Sequence, residues 1–374
     1  MKMGRATDIT ALVLLTAAAA ASVMLALHTR NRALAAREAR EAETAAAVAA
    51  DTVRRATIVF AGDLMVHTPM LTAARRYAAD SVEFDFRPMF RHVAERFRRA
   101  DYAVVNLETT LSRGNYSGYP MFRSPAAAAE AMADMGVDAA VTANNHCCDG
   151  GARGIATTAE ILDSLGIART GTFVDSVDYR RNNPHRFKCH DISFALYSYT
   201  YGTNGLPVPR GQCVNLIDTA LMARDLSAAP RDSVDVRIVF IHWGNEYERR
   251  ENAHQRRLAD FLRRHDADII IGSHPHVIQP CEADSTYVTI YSLGNFMSNQ
   301  QWRYSDGGLI ATIEVEKCRR RRPTYKTMLE PVWVMMPGYR LIPSEVGDTI
   351  TLPPQLRNRY TEFISDTRRT LGAE

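Results

Sequence analysis

At 374 residues, with 46% hydrophobic and 23% charged, the chain has room for one large domain or two ordinary ones and enough apolar mass for a sizeable core. That excludes a disulfide-stapled miniprotein, a collagen and a disordered polymer. Lys and Arg number 45 against 42 Asp and Glu, and the small excess lies in the first 55 residues, leaving a neutral body that argues against a nucleic-acid partner.

Residues 9–27 form an uncharged, largely apolar run of 19 residues, long enough for a helix to cross a bilayer, with Lys2 and Arg5 before it. The run predicts an uncleaved membrane anchor or a cleaved signal, with the body extracytoplasmic in either case. The chain is thus expected at the cell membrane as a single-pass protein in contact with lipid through this helix, or as a secreted form after cleavage. Residues 1–28 are assigned to that segment, and the Ala-rich, helix-prone residues 29–55 to a linker.

From Ala56 the pattern changes. ATIVFAGD, YAVVNLE (102–108), DAAVTANNH (138–146), VRIVFIHWG (236–244) and ADIIIGSHPH (267–276) are short apolar runs ending abruptly in polar residues. Helical patterns lie between them, among them SPAAAAEAMADMG, IATTAEILDSLG and NAHQRRLADFLRRH, so the alternation predicts α/β layering in one domain over residues 56–340. Near the carboxyl end, GGLIATIEVEKC and TYKTMLEPVWVMMPG predict a hairpin across residues 319–322, and residues 341–374 a C-terminal segment with a surface helix.

Function is expected where polar strand ends converge on one rim. Asp63 ends the first strand after a glycine. Asn106 and Glu108 alternate at the end of VVNLE and point to one side, and with Asp63 they offer oxygen ligands suited to divalent cations. Asn144, Asn145 and His146 end a third strand, followed by Asp149, and favour a metal-binding or proton-donating role. Cys147 and Cys148 between them read as small buried hydrophobes, and the six cysteines as a set show no CxxC spacing. His242 ends a fourth strand, where Glu246 could orient it by accepting its second ring proton. His274 and His276 flank Pro275 in GSHPH. Asp63, Glu108, Asn145, His242, His274 and His276 exceed the needs of one metal, so a dinuclear centre of Mn, Fe or Zn is expected. Asn295, in YSLGNF, could hydrogen-bond a ligand or simply form a turn. Arg249 and Arg250 could clamp an anionic substrate or merely begin an exposed helix.

The set AGDLM, NLET, ANNHCCDGG, HWGNEY, GSHPHVIQP and YSLGNF, in order over about residues 56–310, resembles the CapA/PgsA family of poly-gamma-glutamate capsule biosynthesis proteins. The resemblance implies a calcineurin-like metallophosphoesterase fold, a four-layer α/β/β/α sandwich with one or two divalent ions at the strand ends. It further implies that Asp63 and His276 serve a first metal, that Glu108 bridges, that Asn145, His242 and His274 serve a second, and that His146 is the proton donor. The pattern departs from the wider superfamily at Met65, where a histidine is usual; His67 comes two residues too late. The function expected from this is a membrane-anchored capsule biosynthesis or export protein with a hydrolase-type site, partnered by an anionic envelope polymer and a membrane polymer-synthetase complex. Two alternatives stand beside it: a general metal-dependent phosphoesterase, and a non-catalytic polyanion-binding or export subunit.

Overall fold

Side chains alternate across each strand of this protein, and the alternation separates three cores. The computed structural model describes residues 22–44, 53–79, 82–231, 233–318 and 321–372. The strands that frame the site are β1 (Val53–Leu64), β2 (Tyr102–Leu107), β3 (Ala139–Val141), β4 (Ala168–Thr170), β5 (His185–Cys189), β6 (Ile192–Thr200) and β7 (Val236–His242), followed by β8 (Ile269–Ser273), β9 (Cys281–Ala283), β10 (Val288–Ile290), β11 (Asn295–Met297), β12 (Gly307–Cys318), β13 (Thr324–Met335) and β14 (Arg340–Pro343). One sheet runs β14-β13-β12-β1-β2-β3-β4, with β11 also paired to β1; the other runs β9-β10-β8-β7-β6-β5.

Ile58 and Phe60 of β1 pack inward with Val104 of β2 against Leu196, Ile238, Phe240, Ile269 and Ile271 of the second sheet. The intervening Val59 and Ala61 face outward onto the helices Thr68–Tyr77, Ala94–Arg99 and Ala126–Met135. On the far side, Val239, Ile241 and Ile270 meet the helices Thr219–Ser227 and Ala253–Arg264. The order is therefore helix, sheet, sheet, helix, as expected. β1, β2, β3 and β4 run parallel, as do β6, β7, β8 and β10, so their carboxyl ends collect the polar termini along one rim.

Two backbone features bring the sheets together there. A side chain at Gly62 would place a Cβ 2.0 Å from the Gly294 carbonyl oxygen, and one at Gly272 a Cβ 1.9 Å from that of Tyr291, so both crossings demand glycine. The run YVTIYSLGNF, residues 287–296, is shared between two strands: β10 belongs to the second sheet, and after Gly294 turns with φ of 71°, β11 joins β1. The strand β6 was not among those anticipated, although ISFALYSYT is as apolar and β-rich as the others.

The carboxyl-terminal hairpin of β12 and β13 forms as expected, and the helix Pro354–Leu371 sinks Tyr360, Phe363 and Ile364 into the inter-sheet core.

The expected membrane anchor is corrected. Among the described residues no helix is long and apolar enough to cross a membrane. Residues 9–21 of the apolar run lie outside the described residues. The helix over 22–44, a separate unit, is exposed along its length, carries four arginines and three glutamates after Leu27, and pairs Arg37 with Glu41 at 2.8 Å. The single-pass localisation, the lipid partner and the membrane-anchored form of the capsule reading rested on that anchor and are corrected with it.

Candidate metal centre

Asp63 and Glu108 are buried at the ends of the neighbouring strands β1 and β2. A register shift between Ala61 and Asp63 turns the aspartate onto the rim. Its Oδ1 accepts a 2.8 Å hydrogen bond from Asn106 Nδ2, while Oδ2 lies 3.1 Å from His276 Nδ1 and accepts the His274 backbone N–H at 3.3 Å. Asn106 is held in turn by Asn144, whose Nδ2 donates to its Oδ1 at 3.3 Å. Asn106 therefore turns its amide hydrogens, not its oxygen, toward the aspartate, the posture of a residue that positions a ligand.

Both Glu108 oxygens are buried without a hydrogen-bond partner among the described residues; Oε1 stands 3.6 Å from His242 Nε2 and 3.9 Å from His276 Nε2. Burial, with the charges of Asp63, Glu246 and Asp149, pushes the Glu108 carboxyl well above the ordinary range. Burial and the neighbouring rings press the opposite way on the imidazoles, lowering His242 strongly and His274 to about 3. A carboxylate lacking partners amid neutral imidazoles is the donor set a divalent cation takes.

Two groups of ligand atoms lie within 4.8 Å of one another, Asp63, Glu108 and His276 in one, and Glu246, His274 and His276 in the other. They suit one or two divalent ions, and mixed oxygen and imidazole donors fit Mn, Fe or Zn. His274 and His276 both adopt left-handed backbone, φ 96° and 57°, strain that concentrates at functional sites. The buried His274 Nδ1 also lacks a partner among the described residues. Glu246 reaches this pair from the loop after β7, which is pinned to GSHPH by the Tyr247 N–H donating to the Pro275 carbonyl at 2.8 Å. The expectation that Glu246 orients His242 is corrected: Nδ1 of His242 lies 2.9 Å from Ser273 Oγ and its Nε2 2.8 Å from Asn145 Oδ1, so the hydroxyl does the orienting.

His146 lies beside this centre. Its Nδ1 is 2.7 Å from Asp149 Oδ2, and Phe122 packs edge-on against its ring at 4.6 Å. Both residues line a cavity of about 660 Å³ with Met65, His67, Glu246 and His276. His67 is thus near the site; burial and the rings of His276 and His146 lower it to about 4, and its Nδ1 accepts the Asn299 N–H at 3.3 Å.

Two predicted substrate contacts, Arg249 and Arg250, are placed away from this cavity; the third, Asn295, is the register partner of Asp63, and its buried Oδ1 lacks a partner among the described residues. Arg249 donates through Nη2 to the Asp366 carbonyl at 2.9 Å and to Thr370 Oγ1, and lies 3.9 Å over the Tyr304 ring. Arg250 is exposed and does not line the cavity. Asn295 is buried and spends its amide hydrogens on Gln300 Oε1 at 2.9 Å and the Ser305 carbonyl at 2.7 Å, holding that loop. Cys147 and Cys148 are buried against Ile155, as anticipated. Tyr201, which escaped notice with β6, packs 4.5 Å from the His274 ring; its signal was another apolar run ending in polar residues.

Comparison with known proteins places the body that carries these strand ends in a family. The bacterial capsule synthesis protein family PGA_cap matches residues 57–300, more than half of the chain. The PGA biosynthesis protein CapA of Bacillus subtilis (strain 168) is 28% identical over 67% of this chain and 66% of its own length. The capsule biosynthesis protein CapA of Bacillus anthracis is 27% identical over 68% and 62%. The match thus spans slightly less than two thirds of either relative. Among solved structures, a phosphatase from Mycoplasma pneumoniae aligns over 75% of this chain and 95% of its own, with 13% identity and a TM-score of 0.46. The chain belongs to the CapA-like bacterial capsule synthesis family.

Proposed function

We propose that the chain is a metal-dependent hydrolase of phosphoesters. The observation that carries this reading is the Glu108 carboxylate, buried and unpartnered among the described residues beside Asp63 and His276, in a centre that continues through His274 and Glu246 to an open cavity. Divalent ions held by Asp63, Glu108 and His276 and by Glu246 and His274, with Asn145 and His242 alongside, would supply Lewis acidity toward a phosphoryl group. The chain's own groups support the rest. Asp149 holds one ring nitrogen of His146, which leaves the other to hand a proton to the departing oxygen. Phe122 shields one side of that ring from water. Asn106 and Ser273 fix Asp63 and His242.

The capsule setting belongs to the family and its relatives; the chemistry is argued from this chain's own side chains. The test is hydrolysis of 4-nitrophenyl phosphate and bis(4-nitrophenyl) phosphate by Mn-loaded protein, before and after chelation. Metal-dependent release of nitrophenol is expected. Protein that carries its metal and turns over neither ester refutes the reading.

A further inference from the structure

The mouth of the 660 Å³ cavity is aromatic. Tyr119, Tyr247 and Trp302 stand there 76%, 39% and 57% exposed, and Tyr247 and Trp302 meet edge to face at 5.6 Å. Gln300 Nε2 donates to the Tyr247 hydroxyl at 3.2 Å and steadies that ring. Large aromatics left exposed together beside a functional cavity mark a surface that something covers.

Charge narrows what that is. Among the described residues lining the cavity there is no Lys or Arg, whereas Glu246 and Asp149 are acidic. The arginines adjoining these residues in sequence do not line the cavity. Arg249 and Arg303 bind Asp366 of the C-terminal helix, and Arg123, which donates to the Asp149 carbonyl at 3.3 Å, lines a separate cavity. Glu246 is taken up by the candidate metal centre and Asp149 by His146, so away from them the wall offers a ligand aromatic faces.

Resting on the phosphoester reading above, the geometry points to a substrate class: a phosphoester whose organic part carries a flat, uncharged aromatic ring, stacked on Trp302 with Tyr247 and Tyr119 while its phosphate sits over the His276 cluster. An aromatic platform of this kind discriminates by face rather than by hydrogen bonds.

Non-hydrolysable phosphonates test this without turnover. Titrated into Mn-loaded protein in a calorimeter, phenylphosphonate is expected to bind about tenfold more tightly than methylphosphonate, the scale of one stacked ring. Trp302→Ala, at an exposed side chain, is expected to remove most of that advantage and leave methylphosphonate unchanged, and Trp302→Phe to restore it. Equal binding of the two phosphonates, or an equal loss of both in Trp302→Ala, overturns the platform even if esters are hydrolysed. A retained ring preference without any ester turnover sinks the hydrolase reading alone, and failure to bind either phosphonate overturns both.

Discussion

Asp63 and Glu108 approach His276 from buried strand ends, whereas Glu246 approaches the same ring from an exposed loop. The first pair is built into the sheet: Asp63 is braced by Asn106, which is braced by Asn144, and Glu108 is locked through its backbone N–H to the Leu64 carbonyl at 3.0 Å. Glu246 rides on a loop held by the Tyr247 N–H to Pro275 and by the Gln279 amide donating to the Glu248 and Arg250 carbonyls at 2.8 and 3.2 Å, and its own side chain meets solvent. Ligands fixed before binding lose little freedom when the ion arrives, while a loop ligand must be ordered at that moment. The difference teaches that the two halves of the centre need not bind equally, with a tight ion expected on the strand ends and a weaker one at the loop.

The largest effect is expected at the strand-end cluster. Glu108→Gln keeps the shape and removes the charge, so metal content measured by elemental analysis should fall and ester hydrolysis drop to background. Wild-type metal content in this variant would break the assignment of the buried cluster. His146→Ala is next. It should lower kcat by about 10²–10⁴-fold, the usual scale of a positioned proton donor, while metal content stays at the wild-type level. Loss of metal alongside activity would instead make His146 part of the ion's support.

Glu246→Gln sharpens the comparison itself. The loop-side ion should weaken by about 10–100-fold in a Mn titration while the strand-end ion stays. Simultaneous loss of both would merge the two clusters into one.

Much of this centre was legible because an apolar run that stops at a polar residue is a costly pattern without a rim to serve. That logic singled out Asp63, Glu108, Asn145, His146, His242, His274 and His276 across more than two hundred positions, and the fold places Asp63, Glu108, His274 and His276 within the two groups of ligand atoms. The alternation of apolar runs with helical patterns anticipated the α/β class, while the four layers were what the family resemblance implied. What it missed depends on where loops go. Glu246 follows HWG in sequence, which suggested His242 as its partner, but the turn at Gly244, φ 88°, carries it away to His274 and His276. The crossing of residues 288–297 between sheets hangs on Gly294, a residue equally at home in any turn. The anchor expected from the apolar run at residues 9–27 is a different case: residues 9–21 lie outside the described residues, and among those described no helix is long and apolar enough to cross a membrane.

The smallest effect on chemistry is expected at Arg249, whose place beside HWGNEY suggested an anion clamp. Its guanidinium is committed to the Asp366 carbonyl, Thr370 and the Tyr304 ring, and it does not line the cavity. Arg249→Ala should therefore leave kcat/KM for a phosphoester within about twofold, because no group facing the substrate changes. The cost should appear in stability. A charged hydrogen bond and a partly exposed cation–π contact each contribute about 1 kcal/mol, so the variant should lose about 1–2 kcal/mol in a denaturant titration, through looser docking of the helix Pro354–Leu371. Arg250→Ala, exposed and outside the cavity, serves as the control and should alter neither quantity. A rise in KM that fades with added salt, in Arg249→Ala alone and without a change in stability, would return this side chain to the substrate and show that positive charge does reach the mouth of the site after all.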